Sequence, residues 1–161
     1  MKVQDIMTKN AQSCRDEANL SMAALIMWDS DCGAVPVINE LGKVIGMITD
    51  RDIAIAVATK GRLASEITVA EVISGHTHTA QPGEDVRSAL KTMRQEQVRR
   101  LPVTNDDGTL QGILSLSDIV RHIGEPAGKQ ASGLSYEDVV STYRAICEHH
   151  PHRSVLSAQG G

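Results

Sequence analysis

Two segments of this sequence place a hydroxyl and a carboxylate three residues apart, behind a glycine and two apolar residues. They are Gly46-Met47-Ile48-Thr49-Asp50-Arg51-Asp52 and Gly112-Ile113-Leu114-Ser115-Leu116-Ser117-Asp118. The spacing fits two kinds of chemistry. In a capping box, a hydroxyl at the end of a strand and a carboxylate in the first helical turn each satisfy an orphan backbone N–H. The same spacing occurs at Thr68 to Glu71 and at Ser135 to Asp138, where a cap alone is expected. In the second reading, a helix N-terminus offers N–H groups and a positive dipole end to an anion. Thr49 or Ser115 then donates to a phosphate or accepts from a ribose, and Asp52 or Asp118 accepts from both hydroxyls of a ribose cis-diol. The leading glycine lets a ligand or a neighbouring strand approach closely. Spacing alone leaves both readings open.

The elements that must position these groups form an internal repeat. Val35-Pro36-Val37 recurs as Leu101-Pro102-Val103, 66 positions on, and Gly46 and Asp52 recur as Gly112 and Asp118 at the same offset. Each copy opens with a short polar-apolar segment (Val3 to Met7; Val69 to Ile73) and a brief extended piece near Ser13-Cys14 or Thr79-Ala80. An amphipathic helix follows, with its apolar stripe at Leu20, Ala23, Ala24 and Met27, or at Val86, Ala89, Leu90 and Met93. Then come an apolar strand, a Gly-containing turn, a second strand and a helix opening on the motif. The order is β-α-β-β-α, an α/β (α+β) unit with a small sheet. A unit of about 60 residues buries too little surface to be comfortably stable alone. Two copies are therefore expected to pack pseudo-symmetrically, sheet to sheet, as domains 1–62 and 63–125. A tail over 126–161 carries an amphipathic helix capped at Ser135 (Val139, Val140, Tyr143, Ile146).

With its two h-P-V strands and two G-h-h-[TS]-x-x-D segments, the chain resembles a CBS-domain pair, the Bateman module, from about Val3 to Glu125. The phrase Val98-Arg99-Arg100-Leu101-Pro102-Val103 is especially similar to short stand-alone bacterial CBS-pair proteins. The resemblance implies a non-catalytic regulatory module that binds an adenine nucleotide (AMP, ADP or ATP) in the cleft between the units, with no cofactor required. It assigns ribose and phosphate contacts to Asp52 with Thr49 and to Asp118 with Ser115. It places Val35 and Pro36 with Ser13, and Leu101 and Pro102 with His78 and Thr79, around the base. Arg99 and Arg100 stand where the first copy has Gly33 and Ala34, and a guanidinium there favours phosphate. The second site is thus the better candidate for a charged nucleotide.

A second asymmetry concerns surfaces. Met22, Leu25, Ile26 and Trp28 on the first helix of copy one are replaced in copy two by Ser88, Lys91, Thr92 and Arg94, and Ile55 is replaced by Arg121. An enlarged apolar face suggests a contact surface. The expected contact is a homodimer, the family's common assembly, with the chain's own C-terminal helix as the alternative cover. Cys147, His149, His150 and His152 at the end of the tail have ligand types that suit zinc; an incidental His-rich terminus is the simpler reading, so no metal site is assigned. His76 and His78 read as pocket-edge or surface residues.

Composition narrows the functional classes. Among 161 residues there are no Phe, one Trp and two Tyr, while hydrophobic residues make up 41%. The core must be aliphatic, and base stacking on ring side chains is unavailable as a mode of nucleic-acid binding. A net charge of −4 argues against phosphate backbones and acidic membranes as partners. The N-terminus has no signal-peptide pattern, no apolar run is long enough to span a bilayer, and three cysteines lack CxxC spacing. A cytoplasmic protein is expected. No P-loop, nucleophile elbow or HExxH is present, so the output would pass to a protein effector of unknown identity. The competing readings are a ligand-free scaffold, in which the motifs only cap helices, and a metal-responsive stress protein.

Overall fold

Apolar strand, glycine turn and apolar strand fold as predicted in both repeats, and the other elements assemble around these hairpins. The computed structural model describes residues 1–73, 77–123 and 134–148. The chain runs α1 (Val3–Ile6), β1 (Thr8–Lys9), β2 (Cys14–Arg15), α2 (Leu20–Asp29), β3 (Ala34–Ile38), β4 (Val44–Thr49) and α3 (Asp50–Lys60). Two 3₁₀ turns, Ala64–Glu66 and Val69–Glu71, lead to α4 (Val86–Glu96), β5 (Arg100–Thr104), β6 (Leu110–Ser115), α5 (Leu116–His122) and finally α6 (Tyr136–Cys147). The fold is mixed α+β with two small sheets, ordered β2-β3-β4 and β1-β6-β5.

Local chemistry sets the element ends, and it repeats. Asn19 caps α2 by accepting from the Met22 N–H at 3.0 Å, and Asp85 caps α4 by accepting from the Arg87 N–H at 2.9 Å. The hairpin turns close through Gly42 and Gly108, at φ of 73° and 87°, which L side chains rarely adopt. Pro36 lies in β3 beyond the reach of β2, which pairs only at Val37 and Ile38. Its missing N–H therefore costs no ladder bond and leaves the strand edge open.

The repeats exchange their leading segments. Strand β1 pairs antiparallel with β6 of the second repeat, Thr8 opposite Ile113 and Lys9 opposite Gly112. Val3 and Ile6 are buried in the second core with Val86, Leu90, Leu101 and Leu114. In return, Ile67 and Val69 fill the first core with Leu20, Val35 and Ile48. Backbone bonds mirror this trade: Val3 N–H donates to the Glu84 carbonyl at 2.9 Å, and Val69 N–H to the Ala18 carbonyl at 2.8 Å. The hairpins are also tied reciprocally, Val44 N–H to Gly108 O at 3.0 Å and Leu110 N–H to Gly42 O at 3.2 Å. The repeat boundary near residue 62 thus marks a unit of sequence, while each core takes its first segment from across it.

Helix α6 packs on α4 and α5 of the second repeat. Leu134 and Val139 join that core, Gln97 donates to the Ala145 carbonyl at 2.9 Å, and the Arg99 guanidinium lies 5.8 Å from the Tyr143 ring centroid. The alternative in which this helix covers the apolar face of copy one is thereby overturned. Leu90 is buried beneath α6, whereas the equivalent Ala24 is exposed beside α3.

Cys14 on β2 is buried in the first core, and that burial pushes its thiol up to about 11. The unfolded thiol ionises near 9, so above that pH the unfolded state loses a proton that the folded state keeps. Stability is expected to be flat in this respect below pH 9 and to fall as pH rises towards 11, and Cys14→Ala should remove that alkaline slope. Urea titrations of both proteins across this range provide the check.

Candidate functional site

Both motifs fold as capping boxes at a strand-to-helix junction. Ser115 Oγ accepts from the Asp118 N–H at 3.1 Å, while Asp118 Oδ2 accepts from the Ser115 N–H at 2.8 Å and its hydroxyl at 2.6 Å. Thr49 and Asp52 repeat this geometry at 3.1, 2.9 and 2.7 Å. Ser135 and Asp138 do so as well, on α6. There the Ser135 N–H, and then its hydroxyl, hold the Asp138 carboxyl below the usual carboxylate range. The box alone therefore does not mark a site; what faces it does.

Around Asp118 the facing surface belongs to the other repeat. A cavity of about 380 Å³ lies between them, within the usual range for small-molecule pockets. Gly33, Val35 and Pro36 line it from the first repeat, and Arg100, Ser115 and Asp118 from the second. Asp118 is only 6% exposed, yet its Oδ1 makes no hydrogen bond among the described residues, its nearest partner being Arg121 at 3.8 Å. That oxygen is the open acceptor, whereas Oδ2 is committed to the cap. Arg121 also lines the cavity, so two guanidiniums and the β3 edge at Ala34, which β2 does not reach, border the same space. Such an arrangement suits a ribose hydroxyl, a base read by backbone, and an anion.

The resemblance implies a cleft between the two units without saying which motif faces which h-P-V strand; here the cavity brings the second motif to the first h-P-V strand. Ser115 and Asp118 share their cavity with Val35 and Pro36, not with Leu101 and Pro102. Leu101 is wholly buried in the second core and is not part of this lining. Arg100 reaches the cavity, but Arg99 turns the other way, onto Tyr143. Ser13 is half-buried just before β2, outside the lining. Thr49 and Asp52 lie at the pseudo-equivalent junction on β4 and α3, where Ile55 stands in place of Arg121 and Ala34 in place of Arg100. His78 Nε2 lies 3.1 Å from Glu96 Oε2, and Thr79 is exposed. Gly33 and Arg121 complete the cavity although no motif marked them. Their signal was the contrast between copies, with Gly33 opposite Arg99 and Arg121 opposite Ile55.

The sequence families reflect the same two units. The CBS domain model matches residues 3–59 and again 66–125. The chain belongs to the CBS domain family. The CBS domain-containing protein YhcV of Bacillus subtilis is 33% identical over 139 residues, covering 85% of this chain and 97% of that protein. Hypoxic response protein 1 of Mycobacterium tuberculosis is 30% identical over 143 residues, with 89% and 92% coverage. Its crystal structure, with two coordinated zinc ions, matches this CBS pair at a TM-score of 0.70 and 30% identity, over 76% of this chain and 98% of that one. The CBS domain pair of MJ0100, solved with 5-methylthioadenosine and S-adenosyl-L-methionine, matches at 0.68 and 28% identity, over 75% and 94%. Among the described residues no three His, Cys, Asp or Glu side chains converge to hold a metal. His76, His149, His150 and His152 lie outside those residues. No helix among them is long and apolar enough to cross a membrane.

Proposed function

We propose that this CBS pair is a non-catalytic cytoplasmic sensor of an adenosine phosphate bound in the cavity between its repeats. The carrying observation is the cross-repeat cavity, in which Asp118, with an open carboxylate oxygen, Arg100 and Arg121 border the β3 edge at Ala34, beside Val35 and Pro36. Asp118 takes a ribose hydroxyl, the backbone beside Pro36 reads the base, and the two arginines take the phosphate. The likeness to a CBS pair that holds adenosyl ligands supports the nucleoside half of this reading. The phosphate half rests on the forked guanidiniums of Arg100 and Arg121, which can pair with phosphate oxygens and favour AMP, ADP or ATP, although Asp31 and Asp118 on the same lining balance their charge. The signal passes through a homodimer, built on the exposed Met22, Leu25, Trp28 and Ile55 and the half-buried Ile26, to a protein effector.

Calorimetric titration with adenosine, AMP, ADP, ATP and S-adenosyl-L-methionine tests the proposal. One nucleotide per chain is expected, with phosphate-bearing ligands binding more tightly than adenosine. Arg100→Ala should weaken AMP by about tenfold, the worth of one charge-assisted hydrogen bond, and leave adenosine nearly unchanged. Binding of none of these ligands would leave the motifs as helix caps and favour the scaffold reading. Tighter binding of S-adenosyl-L-methionine than of AMP would overturn the phosphate assignment.

A further inference from the structure

We propose that the outward face of α6 docks into the groove between α2 and α3 of a second copy of this chain, and that the second copy does the same in return. The inference rests on the dimer reading above and names the surface that fills the exposed face. Helix α6 is apolar on two sides. Val139 and Ile146 face the second core, while Tyr136, Val140 and Tyr143, at i, i+4 and i+7, form an exposed stripe. The other exposed apolar surface borders a groove of about 500 Å³ between α2 and α3, where Ala24, Trp28, Ile53 and Ala54 form much of the lining. Trp28 is 84% exposed.

The two surfaces complement each other in shape and charge. An amphipathic helix presenting i, i+4 and i+7 anchors fits an apolar groove between two helices. Arg144 is exposed on the turn following Val140, and the groove carries Asp31 and Asp50, which make no ion pair among the described residues. Pseudo-symmetry points the same way. The equivalent helices of the second repeat, α4 and α5, are already covered by α6, so this helix pair is a surface on which α6 packs. Because Leu134, Val139 and Gln97 hold α6 on its own second repeat, the groove of the first is left for the helix of another molecule. Two reciprocal insertions close a twofold dimer and leave no groove open.

The single tryptophan at the groove makes the test direct. Wild-type protein is expected to dimerise with a concentration-dependent blue shift of Trp28 emission. Val140→Glu, at an exposed position that should fold normally, is expected to weaken the dimer by roughly 1,000-fold, the loss of one hot-spot side chain of about 30-fold from each of the two insertions. Trp28→Glu should do the same in sedimentation equilibrium. An equimolar mixture of the two variants should recover dimers, since the intact groove of one accepts the intact α6 of the other. A wild-type monomer at all concentrations would overturn the dimer reading itself. A dimer broken by Trp28→Glu but untouched by Val140→Glu would overturn only this proposal, showing that the α2/α3 face pairs with itself.

Discussion

Asp118→Ala is expected to abolish the thermal stabilisation that AMP confers, while Asp52→Ala leaves most of it intact. The comparison is controlled because both carboxylates occupy the same capping box. Each substitution removes an acceptor from a backbone N–H and a hydroxyl, costing about 1 kcal/mol and lowering Tm by about 2–4 °C. Only Asp118 also turns a free oxygen towards a cavity that holds Arg100 and Arg121. Losing a hydrogen bond to that charged oxygen is worth about 2–3 kcal/mol, or roughly 30- to 150-fold in Kd. Differential scanning fluorimetry with and without AMP separates the two contributions. Equal loss of ligand response in both variants would mean the cavity between Pro36 and Asp118 is not the binding site. A full response retained by Asp118→Ala would remove its role altogether.

Gly112→Ala is expected to lower Tm by roughly 10 °C, far more than Gly46→Ala. A Cβ on Gly112 would collide with the carbonyl oxygen of Thr8, a backbone atom held in the β1–β6 pairing. The N-terminal segment would have to leave, taking Val3 and Ile6 out of the second core, each worth about 2 kcal/mol. At Gly46 the obstacle is the side chain of Ile73, whose Cδ1 would lie 2.9 Å from the new Cβ and can rotate away. Both glycines have ordinary backbone conformations, so the difference reports the close approach of the crossing strand. Thermal melts of the two variants, with far-ultraviolet circular dichroism, provide the measurement. Equal destabilisation would show that the exchanged segment does not hold the second core together.

Much of the fold was legible because it rests on local chemistry repeated at a fixed offset. Asn19 and Asp85 are helix-capping types, Gly42 and Gly108 permit positive φ, and Val86, Ala89, Leu90 and Met93 mark a helix face. The site was legible in its residue types, and Val35, Pro36, Arg100, Ser115 and Asp118 were all singled out. The family resemblance implied a cleft between the copies, but which motif faces which h-P-V strand depends on contacts over long chain distances and was not legible. Arg99, just before β5, lies against Tyr143, while Arg100, the first residue of β5, lines the cavity. Which one does which depends on α6, whose destination its own periodicity leaves open.

The sequence by itself determined the two-fold repeat, the aliphatic core and the capping boxes at Thr49, Ser115 and Ser135, because each follows from side-chain type and short spacing, and it carried the family resemblance. Only the tertiary structure decided that the leading segments cross between repeats and that the cavity joins Pro36 to Asp118. It also decided that α6 covers the second repeat and leaves the first bare. These outcomes depend on which buried surfaces meet over long chain distances. Two copies nearly alike in local pattern differ there at single positions such as Ala24 against Leu90 and Gly33 against Arg99.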